Sequence, residues 1–144
     1  MNLPTYITGT VQTRAYALLR ESVYNVLSKY DLTPSLWSML GVIMEAKDGI
    51  RQADVAKLMN VKPPLITVMA RQMETRGLIQ TVQNQFDARA KLLSVTVLGK
   101  KSIKNIEVEL HKELDMLLRG LTESDLITYH RVLTTIISNS KIHS

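Results

Sequence analysis

The stretch from Arg51 to Lys101, RQADVAKLMNVKPPLITVMARQMETRGLIQTVQNQFDARAKLLSVTVLGKK, admits few folds. Pro63 and Pro64 have no N–H, so they belong at or before the first turn of a helix. That helix is predicted to run to about Arg76, with Gly77 ending it. Residues 52–58 form a shorter helix upstream, carrying Ala53, Val55, Ala56 and Leu58. Asn60 stands in the turn between the two helices and tolerates a left-handed backbone. Residues 78–82 and 92–97 are rich in β-branched side chains and are predicted to be strands. The polar loop QNQFDARAK joins them, with Arg89 and Lys91 near its tip. At 100° per residue, Ile66, Met69, Ala70 and Met73 share one face of the second helix and must face the core. Pro64, Thr67, Val68, Arg71 and Thr75 fall on the other side. That face offers a cation and hydroxyls for phosphate or base edges, and apolar groups for a thymine methyl.

Charge separates this stretch from the rest. Residues 51–104 hold ten Lys/Arg and three Asp/Glu, whereas the remaining residues hold eight and ten. A local +7 against −2 elsewhere is the footprint of a surface that meets phosphate.

The flanks are helical. Residues 6–30 place Ile7, Val11, Ala15, Leu18, Leu19, Val23, Val26 and Tyr30 at helical spacing. Thr33-Pro34 starts another helix, Thr as N-cap and Pro at the first position, with Gly49 beyond its end. Trp37 on that helix is either a packed anchor or a wall of a small-molecule pocket. A long helix is predicted from about Lys100 to Arg119, and Gly120 breaks it. Thr122 to Asp125 then forms a capping box for a last helix bearing Leu126, Tyr129, Leu133, Ile136 and Ile137. These terminal helices carry more apolar surface than the small basic unit needs, and dimerisation is the economical use for it. The fold class is therefore mainly α with a small β wing: a winged helix-turn-helix over 33–99, with 1–32 and 100–144 as a helical dimerisation region, all one intertwined domain.

The chain has no cysteine, which removes disulfides, thiol nucleophiles and cysteine redox sensing. MNLPTYITGT has neither the charged nor the apolar region of a signal peptide, and no run is long enough to span a membrane. A cytoplasmic protein without a membrane partner is expected. No Gly-rich phosphate loop and no nucleophile–base constellation stands at recognisable spacing, so no enzymatic activity and no cofactor are expected.

In helix order and length, nearly the whole chain resembles the MarR family of transcriptional regulators. The wing carries the most specific part: Asp87-Ala88-Arg89, then Val95-Thr96, then Gly99 opening the next helix. Upstream, ADVAKLMNVKPPLITVMARQMETRGLI ends in the family's Glu74, Gly77, Leu78 pattern. The resemblance implies a homodimer that binds double-stranded DNA sequence-specifically, as a repressor on a pseudo-palindromic operator. The helix from Pro63 to Arg76 would be its recognition helix, docked in major grooves roughly 34 Å apart. Arg89 would enter the minor groove while Asp87 orients the loop. The DNA-binding set is then Lys62, Pro64, Thr67, Val68, Arg71, Thr75, Arg89 and Lys91. The chain departs from the family at Val68, where many members have Arg, at Pro63-Pro64, where many have Ser or Lys, and at Asn60, where Gly is usual.

The resemblance also implies release by a small aromatic effector, phenolic or carboxylate, with Arg20 for a carboxylate and Tyr30 or Trp37 for a ring. Two other readings start from the residues. Glu107 and His111, four apart on one helix, with His130 on the next, are the raw material of a metal-responsive regulator, but a site wants three or four ligands, and no metal site is assigned. A winged-helix protein-interaction module would keep the fold and lose salt-dependent duplex binding.

Overall fold

Turn chemistry sets the path of the chain. The computed structural model describes residues 5–87 and 89–142. Met1 to Pro4, part of the segment read as lacking a leader, lie outside the described residues, as does Ala88 of the Asp87-Ala88-Arg89 motif. The elements are α1 (Thr5–Ser28), α2 (Pro34–Glu45), α3 (Gln52–Met59), α4 (Pro63–Thr75), β1 (Ile79–Gln83), β2 (Lys91–Val95), α5 (Val97–Leu117) and α6 (Glu123–Ile142).

α1 stops because Asp31 turns left-handed at φ 52°, and the Leu32 N–H returns to the Leu27 carbonyl at 3.1 Å. α2 starts on Thr33, whose hydroxyl accepts the Leu36 N–H at 3.2 Å, with Pro34 at the first position. α3 closes on Asn60 at φ 53°, ψ 47°, where the Val61 N–H reaches the Ala56 carbonyl at 3.0 Å. α4 closes on Gly77 at φ 71°: the Leu78 N–H reaches the Met73 carbonyl at 3.0 Å and the Gly77 N–H reaches the Glu74 carbonyl at 2.9 Å. Both ends satisfy orphan carbonyls through the paired bonds of a Schellman motif.

The sheet is one antiparallel pair, β1 on β2, with Ile79 opposite Val95 and Gln83 opposite Lys91. A third short edge joins it where Ile50 and Leu93 exchange both backbone hydrogen bonds, at 3.0 and 2.7 Å. The expected bounds of both strands and of the helix after them move. The strands begin and end one or two residues from 78–82 and 92–97, and Val97 is helical. The last helix but one therefore begins at Val97 rather than Lys100 and stops at Leu117 rather than Arg119. The early start is caused by Thr96. Its hydroxyl accepts the Gly99 N–H at 2.9 Å and donates to the Gly77 carbonyl, so the strand is cut and the helix capped at one residue.

The chain divides into two compact units, Met1–Leu114 and Asp115–Ser144. In the first, one core gathers Val26 and Leu27 of α1, Met39, Leu40 and Ile43 of α2, Val55 of α3, Ile66 and Met73 of α4, Ile79, Leu93 and Ile106. The expected inward face of α4, Ile66, Met69, Ala70 and Met73, is buried. α1 and the first part of α5 thus share the core of the winged helix. In the second unit Thr122 and Asp125 cap α6 reciprocally: the Thr122 N–H reaches Asp125 Oδ2 at 2.8 Å, and the Asp125 N–H reaches the Thr122 hydroxyl at 3.2 Å. The Thr122 N–H and then the Thr122 hydroxyl, both donating to Asp125 Oδ2 at 2.8 Å, hold the Asp125 carboxyl below its ordinary pKa. None of the described residues of this unit is buried within the chain.

At the C-terminal end of α1, the Tyr30 hydroxyl donates to Glu109 of α5, and Lys29 sits 3.5 Å from the same carboxylate. The Tyr30 hydrogen bond, then Lys29, lowers the Glu109 pKa, and the bond to Glu109 raises that of Tyr30. A carboxylate with a lowered folded pKa contributes stability above its unfolded value and loses it as pH falls through the folded one. The melting temperature should therefore drop as pH falls below the ordinary glutamate value of about 4.3. Glu109→Gln should flatten that acid limb. Thermal melts across the acid range of both proteins check this, and parallel curves refute it.

Candidate nucleic-acid interface

The outward face of α4 is built by its periodicity. With Ile66, Met69, Ala70 and Met73 buried, Pro64, Thr67, Val68, Arg71 and Thr75 are all exposed, Val68 at 56%. Leu65 and Gln72 stand exposed beside them. Val68, Arg71, Gln72 and Thr75 line an open groove of about 800 Å³ shared with Asp31, Thr33, Leu36 and Arg76. Gln72 is an addition to the expected set. It lies four residues beyond Val68 and three before Thr75, so the helical spacing that picked those two also picks it. Its amide can bond adenine in a bidentate manner.

The start of α4 differs from an ordinary helix N-terminus. Pro63 and Pro64 have no N–H, the Leu65 N–H is taken by the Lys62 carbonyl at 3.0 Å, and Lys62 makes no side-chain cap. The free backbone donors that make helix N-termini anion sites are therefore few here, and the exposed Lys62 ammonium is the cation at that end. The hydroxyls are also partly engaged. Thr67 donates to Gln52 Oε1 at 3.1 Å, tying α4 to α3, and Thr75 donates to the Arg71 carbonyl at 2.9 Å. Each keeps acceptor capacity toward a base amino group.

In the wing, Asp87 Oδ1 accepts the Arg89 N–H at 3.0 Å, and the Asp87 carbonyl accepts the Ala90 N–H at 3.0 Å. Asp87 thus folds the turn on which exposed Arg89 stands. Lys91 is not at the tip. It is the first residue of β2, opposite Gln83, and exposed.

Among the described residues the one ion pair is Lys29–Glu109, outside the basic stretch. Lys62, Arg71, Arg89 and Lys91 are exposed without an acidic partner. Arg76 is bound internally instead. It donates to the Asp31 carbonyl at 2.7 Å and to that of Tyr30, pinning the end of α4 to the corner after α1. Nothing in the spacing of the sequence distinguishes it from its neighbours.

The expected effector residues are not brought together. Arg20 lines a cleft of about 410 Å³ with Tyr16, Pro34, Ser35, Ser38 and Val42. Tyr30 and Trp37 do not line it. The Tyr30 hydroxyl is engaged by Glu109, and Trp37 is half-buried against the core. Among the described residues no three His, Asp or Glu side chains group so as to hold a metal ion, and no helix is long and apolar enough to cross a membrane.

Known proteins resemble this chain in sequence and in fold. Residues 30–90 match the family model described as MarR family. The chain is 21% identical over 126 residues to the HTH-type transcriptional repressor IacR of Pseudomonas putida, covering 88% of this chain and 75% of that one. The fold is similar to that of CouR from Rhodococcus jostii bound to p-coumaroyl-CoA, with a TM-score of 0.81 at 20% identity, over 94% of this chain and 95% of that one. It is also similar to a mutant MarR from E. coli complexed with operator DNA, with a TM-score of 0.72 at 19% identity, over 89% and 91% of the two chains.

Proposed function

We propose that the chain is a MarR-family transcriptional regulator, a reading supported by the match of residues 30–90 to that family's model, and that it is a homodimeric repressor that binds a pseudo-palindromic operator through α4 and the wing. The observation that carries this reading is the set of exposed, unpaired cations at Lys62, Arg71, Arg89 and Lys91, flanking an outward helix face that mixes polar and apolar groups. Cations without acid partners are suited to phosphates, and the face of α4 to base edges. Arg71 and Gln72 read bases in the major groove. Val68, Leu65 and Pro64 make apolar contacts there, Lys62 and Lys91 hold phosphates, and Arg89 enters the minor groove.

The test is duplex binding against salt concentration. A dimer whose affinity falls steeply with salt supports the reading, since each neutralised phosphate adds about 0.9 to the slope of log K against log salt. Arg89→Ala should reduce that slope by about one unit per wing that contacts DNA. An unchanged slope removes Arg89 from the interface. Absence of binding even at low salt leaves a winged-helix interaction module as the better reading.

A second reading concerns release. The cleft holding Arg20 lies against α2, is partly apolar through Pro34 and Val42, and presents Tyr16 as a ring. It suits a small aromatic carboxylate, with Arg20 on the carboxylate. Such a ligand releases DNA only if it binds better to a state in which the α4 helices no longer fit the grooves. Loss of DNA affinity with salicylate-like acids, abolished in Arg20→Ala, checks this.

A further inference from the structure

Phe86 is the most exposed large apolar side chain among the described residues, with 96% of its surface open. It stands in a loop otherwise made of polar and charged residues and small alanines. Local hydrogen bonds build the loop around it. The Phe86 N–H donates to Asn84 Oδ1 at 3.0 Å, the Asn84 N–H donates to the Ala90 carbonyl at 3.0 Å, and Asp87 takes the Arg89 and Ala90 N–H groups. The phenyl ring is thus carried outward on a turn closed from both sides, three residues from Arg89 and beside a carboxylate whose oxygen is already engaged. An aromatic ring gains from leaving water, and the charged surroundings favour a polyanion as the place it goes. Apolar wedges of this kind unstack a base step from the minor groove.

Resting on the DNA-binding reading above, we propose that Phe86 is a minor-groove wedge: it inserts at one base step beside Arg89 and makes each half-site prefer a step that opens easily. Pyrimidine–purine steps, TA and CA, deform most readily, so they are the preferred ones. Three residues of chain span at most roughly 10 Å, about three base pairs at about 3.4 Å each. With the reach of the two side chains added, the preferred step lies on the same stretch of minor groove as the Arg89 contact, within about half a helical turn of it.

The experiment uses the full-length protein, a duplex selected from a random pool, and 2-aminopurine placed at successive steps of the flanking minor groove. Wild type should raise 2-aminopurine fluorescence at one step per half-site. Phe86→Ala should abolish that rise, lower affinity for the selected duplex roughly tenfold, and keep the melting temperature and salt slope of wild type. Phe86→Leu should restore part of the signal. The proposal is overturned if wild type binds with no rise at any step. It is equally overturned if Phe86→Ala keeps the rise, or changes the oligomeric state instead, which would make the ring a protein contact. Failure of wild type to bind any duplex sinks the DNA-binding reading and this inference with it. Binding without a Phe86-dependent signal sinks the inference alone.

Discussion

Leu133→Asp should convert the protein to a monomer and lower its affinity for a two-half-site duplex by about 10²-fold or more. α6 places Leu126, Tyr129, Leu133, Ile136 and Ile137 on one stripe, and all five are exposed in the single chain, Leu133 at 37%. Burying one large apolar side chain contributes about 1.5–3 kcal/mol, so a 20-residue helix with this stripe open gains most from a partner surface. A carboxylate at position 133 would have to be desolvated in that interface without a cation, which costs more than the lost contact. On the proposed dimeric reading DNA affinity should fall as well, because two tethered recognition helices would engage successive grooves at high effective concentration and one would not. Sedimentation together with duplex titration checks both effects. A DNA-competent dimer of Leu133→Asp would refute the placement of the interface on α6.

Gly99→Ala should destabilise the first unit by roughly 3 kcal/mol, at the upper end for an overpacked site. Gly99 lies in the first turn of α5. A Cβ there would stand 2.1 Å from the Leu78 carbonyl oxygen and 2.7 Å from Val95 Cγ1. The carbonyl cannot step aside, because it accepts the Thr96 N–H at 3.1 Å. Thr96 in turn caps α5 and bonds to the Gly77 carbonyl, so this corner joins α4, both strands and α5. At about 2–4 °C per kcal/mol for a chain of this size, the melting temperature should fall by roughly 10 °C. Calorimetry of wild type and variant reads it directly. A shift within about a degree or two would mean that the corner relaxes, and that the glycine is not required by packing.

Much of the fold was legible because local chemistry and tertiary packing agree. Pro34 after Thr33, Pro63-Pro64 and Gly77 mark helix ends by what their backbones can and cannot do. Asn60 was legible for the same reason. Asp31 makes an equivalent left-handed stop, yet no Gly or Asn stands beside it to announce the turn. The start of α5 was misplaced because Val95, Thr96 and Val97 all favour strands, while the Thr96 cap is settled by contact with Gly77 and Leu78.

The outward set on α4 follows from the period of 3.6 alone, since burying Ile66, Met69, Ala70 and Met73 leaves the opposite residues no other side. The separate roles of the cations did not follow. Arg76 and Arg71 are alike in composition, but only three-dimensional proximity commits Arg76 to the carbonyls of Tyr30 and Asp31. Likewise Arg20, Tyr30 and Trp37 are plausible ligands by residue type, and packing sends them to different places: a cleft, an ion-paired corner and the edge of the core. The sequence by itself therefore determined the order of elements, the buried face of each helix and the position of the basic stretch, because these depend on periodicity and backbone chemistry. The tertiary structure decided which charges remain free, where Thr96 divides strand from helix, and which side chains share a cavity, because each of these depends on groups brought close from distant parts of the chain.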